Sequence, residues 1–269
     1  MTSLVDIGVN LTHRSFSPDL AEVLERSRKA KVEQLVITGT SLDASKDGLQ
    51  LAELRRDMLH ATTGVHPHDA KSWNDASLPT LETLAQHELA VAVGECGLDY
   101  HRDFSPRDAQ RRCFEAQLEL AVGLDLPVFL HERAAHEDFL ATLKRYRPRL
   151  RAAVVHCFTG SSRELDAYLD LDLHIGITGW ICDDRRGAHL RPLMPKVGAD
   201  RLMIETDAPF LKPRVRGLGK GRRNEPAFLP YVLAEVATAK GQPAEQLAAE
   251  TTATAREFFQ LHPLEDATR

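Results

Sequence analysis

The chain has 269 residues, of which 43% are hydrophobic, enough to bury a sizeable core and to exclude a disordered protein. Lys and Arg number 34 against 39 Asp and Glu, a formal net charge of −5 that excludes a protein coating nucleic acid through bulk positive charge. Twelve histidines outnumber the two tryptophans and four tyrosines together, and imidazole is a common metal ligand and acid–base group. The cysteines Cys96, Cys113, Cys157 and Cys182 form no Cys-x-x-Cys pair, so neither a zinc ribbon nor a disulfide scaffold is expected. Cys96 and Cys157 read as packing residues. Met1-Thr2-Ser3-Leu4-Val5-Asp6 does not resemble the start of a signal peptide, and no apolar run approaches the roughly 18 residues of a membrane helix. A reduced, soluble, cytoplasmic protein is expected.

Along the chain, short apolar runs alternate with helical patterns. The first run, Leu4–Val9, leads into Asn10, and Ser17-Pro18-Asp19 then opens a segment with Leu20, Val23 and Leu24 at helical spacing. Runs follow at 34–39 and 59–64, the latter leading to Gly64-Val65-His66-Pro67-His68. Leu78, Leu81 and Leu84 precede the run 89–94, which leads to Gly94-Glu95-Cys96-Gly97-Leu98-Asp99. Ser105-Pro106-Arg107 starts a helical segment through Phe114, Leu118, Ala121 and Val122; run 127–130 then ends in His131. Phe139, Leu140 and Leu143 precede run 152–155, which ends in His156. Runs 173–178 and 201–204 complete the set, the last ending in Glu205-Thr206-Asp207, and two helical stretches follow at about 226–240 and 244–259. Eight Val/Ile/Leu-rich runs suggest strands buried on both faces. Eight strand–helix repeats predict a TIM (β/α)8 barrel with extra C-terminal helices, a single domain over 1–269.

Barrel enzymes carry their chemistry at the C-terminal strand ends. Here Asn10, His66, Glu95, His131, His156, Glu205 and Asp207 all fall at such ends. Taken singly, each has an ordinary reading: an exposed histidine, a helix cap at Glu95, a turn begun by Asp207. Taken together they converge on one small area, and mixed imidazole and carboxylate donors suit Mg²⁺, Mn²⁺ or Zn²⁺. A divalent ion acidifies water and a neighbouring carboxylate takes its proton, so hydrolysis by direct water attack is expected. The loop 208–224 carries Lys212, Arg214, Arg216, Lys220, Arg222 and Arg223 and no acidic residue, and it leaves directly from Asp207. Positive charge beside a metal site points to a phosphate-bearing substrate. Tyr100, Phe104, Phe158, Trp73 and Trp180 also follow strand ends, where aromatic rings can stack single-stranded bases. Phosphodiester hydrolysis is the resulting expectation. The alternatives are a small-molecule hydrolase of the amidohydrolase type and a non-catalytic nucleic-acid-binding module.

The strand-end motifs resemble those of the TatD family of metal-dependent deoxyribonucleases, in the family's order from Asp6 to Pro226. They are Gly64-Val65-His66-Pro67-His68, Val93-Gly94-Glu95-Cys96-Gly97-Leu98-Asp99, His156-Cys157-Phe158-Thr159-Gly160, Glu205-Thr206-Asp207-Ala208-Pro209 and Arg223-Asn224-Glu225-Pro226. Asp6-Ile7-Gly8-Val9-Asn10-Leu11 is most similar to the branch that gives the family its name. The resemblance implies a 3′–5′ exonuclease acting on single-stranded DNA and RNA, with a role in DNA degradation or repair, working as a monomer with Mg²⁺ as the ion in use. It implies Glu95, His131 and His156 as metal ligands, with Asp207 touching the metal or activating water. His66 and Glu205 are further active-site residues, His66 expected at the phosphate or leaving oxygen. Arg222, Arg223 and Lys220 are expected to hold the strand. Many family members open with Asp-x-His-x-His, whereas this chain has Gly8 and Asn10 there. One firmly held metal, with a second recruited if at all by substrate phosphate, is therefore expected.

Overall fold

A computed structural model describes residues 3–219 and 221–262; Lys220, one of the expected strand-binding cations, lies outside them. Eight strands form one sheet: β1 (Leu4–Val9), β2 (Val32–Ile37), β3 (Leu59–Thr63), β4 (Ala90–Asp99), β5 (Val128–Arg133), β6 (Ala153–Val155), β7 (His174–Ile177) and β8 (Leu202–Ile204). They are hydrogen-bonded in sequence order and every neighbouring pair is parallel. β8 meets β1 through a bridge between Val9 and Ala208, with Asp207 N donating to Gly8 O at 2.8 Å and Asn10 N to Ala208 O at 2.7 Å. This is the TIM barrel that the sequence predicts.

Helices on the outside and side chains in the lumen bury both faces of the strands, which is why they read as near-continuous apolar runs. Val5, Ile7, Val36, Val91, Phe129, Val154 and Met203 fill the lumen. Phe258 and Phe259, at the end of the last helix, join them and cap the N-terminal end of the barrel. The crossovers between β1 and β7 are helices α1 (Leu20–Lys29), α2 (Leu42–Leu54), α3 (Ser77–Ala85), α4 (Arg107–Leu124), α5 (His136–Tyr146) and α6 (Ser162–Asp170). The last of these starts with a reciprocal capping box between Ser161 and Glu164. The two C-terminal stretches are α7 (Leu229–Lys240) and α8 (Ala244–Phe259).

Two expectations are corrected. The crossover between β7 and β8 has no α-helix, so the repeats are not eight uniform strand–helix units. Short 3-10 turns at Gly179–Cys182, Arg191–Lys196 and Ala199–Arg201 replace it. Pro192 and Pro195 remove N–H donors that a continuous helix would need. β4 also runs past its apolar stretch as far as Asp99, pairing Gly97 with His131 and Asp99 with Arg133 of β5. Gly97 has φ of +146°, and a Cβ there would lie 1.9 Å from His131 O, so only glycine lets the two strands meet at the mouth. The register shifts between Gly94 and Cys96, a bulge that places Glu95 at the lumen's C-terminal end.

Candidate metal centre

Glu95 is the centre of the site. Its Oε1 lies 2.7 Å from His156 Nε2, 2.8 Å from His131 Nδ1 and 3.3 Å from His66 Nε2, drawing on β4, β5 and the loops after β3 and β6. Burial alone would raise this carboxyl, but the charge of His156 and the hydrogen bonds of His131 and His156 hold it well below the ordinary carboxylate range. Burial pushes His66 down to about 4, against the pull of Glu95, so its ring is neutral at neutral pH and has a lone pair to offer.

The donor set fits a divalent cation. Ligand atoms of His66, Glu95 and His131 lie within 4.8 Å of one another. His131 Nε2 is also buried with no hydrogen-bond partner, its nearest acidic neighbour being Asp99 Oδ2 at 3.5 Å. A buried polar atom left unpaired costs about 1–3 kcal/mol, a cost that a coordinated ion removes. Mixed nitrogen and oxygen donors suit Mg²⁺, Mn²⁺ or Zn²⁺. His66, expected at the substrate phosphate, stands among the nitrogen donors, and His156 approaches the same carboxylate oxygen.

The surrounding groups fix this cluster. Glu205, fully buried, has Oε2 3.4 Å from His156 Nδ1, and its Oε1 accepts Cys157 N–H at 2.5 Å. A carboxylate on one imidazole nitrogen sets which tautomer the other presents. A Cβ on Gly8 would lie 2.3 Å from Glu205 Oε2, so Glu205 occupies the space that a side chain at position 8 would need. Asn10 takes no place among the donors: its Nδ2 donates to Asp207 Oδ1 at 2.9 Å and orients that carboxylate. Asp207 is raised from 3.8 to about 7, first by burial and then by Glu95 and Glu205, against His156 and the Asn10 hydrogen bond. Its φ of +51° is a left-handed conformation that the closing β1–β8 hydrogen bonds impose. Burial also pushes the Cys157 thiol up to about 12, so this half-buried cysteine offers no thiolate at neutral pH.

Three residues in the site carry tasks that the sequence reading did not assign. Asp99 Oδ2 meets His68 Nε2 at 2.8 Å and faces the unpartnered edge of His131. Asn10 orients Asp207. Asp6, in β1, accepts Thr206 N–H at 2.9 Å and Thr206 Oγ1–H at 2.5 Å, which ties down the residue between Glu205 and Asp207.

The basic loop differs most from expectation. Arg223 is not free for a phosphate: it donates to Asp19 Oδ1 and Oδ2 at 2.6 and 2.7 Å, to Glu225 Oε1 at 2.8 Å and to Ser15 O at 2.7 Å. Arg26 joins the same two carboxylates. Lys212 turns back on Gly219 O and Gly221 O, and Arg214 pairs with Asp183 at 3.0 Å. Arg216 and Arg222 are exposed and have no ion-pair partner among the described residues. Of the expected stacking aromatics, Phe158 is buried and Tyr100 donates to Asp138 at 2.6 Å beneath the Arg107 guanidinium. Trp73 and Trp180 pack against the core, which leaves Phe104.

Residues 5–260 match the TatD related DNase family. The chain therefore belongs to the TatD-related DNase family. It is 51% identical over 259 residues to the 3′-5′ ssDNA/RNA exonuclease TatD of Erwinia tasmaniensis, covering 96% of this chain and all of that one. The same holds for the protein of that name from Edwardsiella piscicida. The crystal structure of a TatD homologue from Escherichia coli K12 superposes with a TM-score of 0.88 at 30% identity, over 96% of this chain and 98% of that one. A TatD family hydrolase from Entamoeba histolytica, at 24% identity and a TM-score of 0.86, shares the fold. No helix of the described residues is long and apolar enough to cross a membrane.

Within this TatD-family barrel the two arginines at the end of the basic loop stand in different surroundings, Arg223 paired and Arg222 exposed. Arg223→Ala is expected to lower unfolding stability by about 1 kcal/mol, because Asp19 and Glu225 lose its hydrogen bonds at a partly buried site and keep only those of Arg26. Arg222→Ala is expected to leave stability within about 0.5 kcal/mol while weakening oligonucleotide binding in low salt. Urea unfolding and salt-dependent binding of both variants separate the two roles.

Proposed function

We propose that this chain is a metal-dependent 3′–5′ exonuclease that hydrolyses phosphodiester bonds of single-stranded DNA and RNA. The observation that carries the reading is the convergence of three imidazoles on Glu95 Oε1 beside Asp207, at the mouth from which the basic loop leaves. The names of the relatives from Erwinia and Edwardsiella support the same substrate class and polarity. Mg²⁺ is the proposed working ion and a cytoplasmic monomer acting in DNA degradation or repair the proposed setting, with 1–269 as one domain.

His66, Glu95, His131 and His156 would hold the ion, with Asp207 beside them. A divalent ion there supplies positive charge that polarises a phosphoryl oxygen and eases deprotonation of water. Asp207, beside the cluster, accepts the proton of the attacking water at a carboxylate oxygen while Asn10 fixes its orientation. Glu205 holds His156 Nδ1, so that Nε2 faces the cluster. Arg222 and Arg216 hold the strand backbone by charge, and Arg223 acts instead by holding the base of the loop.

Digestion of 5′- and 3′-end-labelled single-stranded DNA, RNA and duplex DNA with Mg²⁺, Mn²⁺ or Zn²⁺ tests the reading. Stepwise loss from the 3′ end, faster on single strands, is expected. Turnover of cyclic amides with no attack on any oligonucleotide would overturn it.

A further inference from the structure

Two large aromatic side chains stand open on the rim of the mouth that holds the cluster. Phe104 is 56% exposed and Phe210 50%, although rings of this size are generally covered. Phe104 lies in the loop after β4. Its ring is 4.8 Å from that of His68, which is 4.2 Å from His66. Phe210 lies in the loop after β8. Its N–H donates to Asp207 O at 2.9 Å, and its ring meets His13 edge-on at 5.5 Å.

In a ring of eight strands in sequence order, β4 and β8 are diametrically opposed. The two phenylalanines thus flank the cluster from opposite sides, each backed by an imidazole and open to solvent. The other large apolar side chains exposed among the described residues, Leu54, Leu78 and Tyr231, belong to α2, α3 and α7 and not to the mouth loops. The loop of Phe210 also carries the exposed Arg216 and Arg222. An open ring beside unpaired cations matches the surface that binds single strands, where bases stack and the backbone is held by charge.

We infer that Phe104 and Phe210 form a two-sided stacking clamp: the bases on either side of the scissile phosphodiester stack on the two rings and hold that bond over the cluster. The inference rests on the nuclease reading and adds to it how a substrate is selected. Bases of a single strand splay apart freely, whereas duplex bases must first be unpaired, so the clamp favours single strands.

Fluorescence separates this inference from the nuclease reading. Oligodeoxynucleotides with 2-aminopurine at the 3′-terminal or the penultimate position are titrated with chelator-treated full-length protein, so that stacking quenches the probe without cleavage. The wild type is expected to quench both probes. Phe104→Ala and Phe210→Ala are each expected to lose quenching at one position and to bind about 10-fold more weakly. Phe104→Trp restores the first. With an abasic residue at the matching position, the wild type loses the same affinity and the alanine variant loses no more. Unchanged quenching in both variants, or equal weakening on abasic and normal strands, overturns the clamp. Ring-dependent quenching by a protein that cleaves no oligonucleotide with any divalent ion keeps the clamp and removes the nuclease reading.

Discussion

Replacing Glu95 with glutamine is expected to reduce metal-dependent cleavage by at least about 100-fold and to weaken divalent-ion binding, with the circular dichroism spectrum unchanged. Losing a partner that only orients a ligand typically costs about 10–100-fold in metal affinity or activity, and Glu95 stands closer to the centre than any such partner. Three imidazoles approach its Oε1, and it is the carboxylate of the tight donor triad. Glutamine keeps the volume and one carbonyl oxygen but removes the negative charge. The two effects separate in a companion variant. Asp207→Asn is expected to lower kcat strongly while ion binding falls less, since the imidazoles and Glu95 remain. Isothermal titration with Mn²⁺ and steady-state cleavage of a single-stranded oligonucleotide read both. Full activity in Glu95→Gln would show that this cluster is not the catalytic metal site.

The second large effect concerns the barrel's seam. Between β1 and β8 the backbone supplies only the Val9–Ala208 bridge and its neighbouring hydrogen bonds. Asp6 adds a side-chain rung, accepting from Thr206 N, Thr206 Oγ1 and, at 3.3 Å, Gly8 N. Asp6→Ala leaves these fully buried donors unpaired, each at about 1–3 kcal/mol and not additively, for an expected total of about 3–5 kcal/mol. It also frees the segment between Glu205 and Asp207, so activity falls with stability. Asp6→Asn keeps an acceptor and is expected to lose far less.

The same residue has a pH signature. Burial is the main cause that raises the Asp6 carboxyl from 3.8 to about 8, with Glu205 adding and the Thr206 hydrogen bonds opposing. Between those values the folded chain holds a proton that the unfolded chain has released. Its contribution is therefore complete below about pH 4 and is lost as pH rises towards 8. Asp6→Asn lacks this dependence, so its stability relative to wild type improves from pH 5 to pH 8. Parallel urea-unfolding profiles of the two proteins across that range would contradict the assignment.

The sequence made the barrel and the donor residues legible because both leave local marks. Val/Ile/Leu-rich runs mark most strands, although β3 reads Leu-His-Ala-Thr-Thr. The candidate donors stand where such runs stop, as His131 and His156 do. The sequence did not show what depends on distant partners or mixed signals. The second half of β4 was hidden because Glu95 and Asp99 interrupt its apolar pattern, although both are strand residues serving the mouth. The β7–β8 crossover lacks its helix because two prolines outweigh the repeat pattern. Arg223 looked like its neighbour Arg222 until the fold brought Asp19, 204 residues away, against it. Gly8 and Asn10 read as missing ligands, whereas Glu205 packs against one and the other steers Asp207. In the sequence Phe210 is one aromatic among many, and only its exposure opposite Phe104 sets it apart.

The most direct test of the central claim is add-back of divalent ions to chelator-stripped protein, with a 3′-labelled single-stranded oligonucleotide as substrate. No cleavage in chelator, recovery with Mg²⁺, Mn²⁺ or Zn²⁺, and failure of every ion to restore Glu95→Gln is the result this structure predicts. Cleavage that persists undiminished in chelator, or that recovers equally in Glu95→Gln, would contradict it.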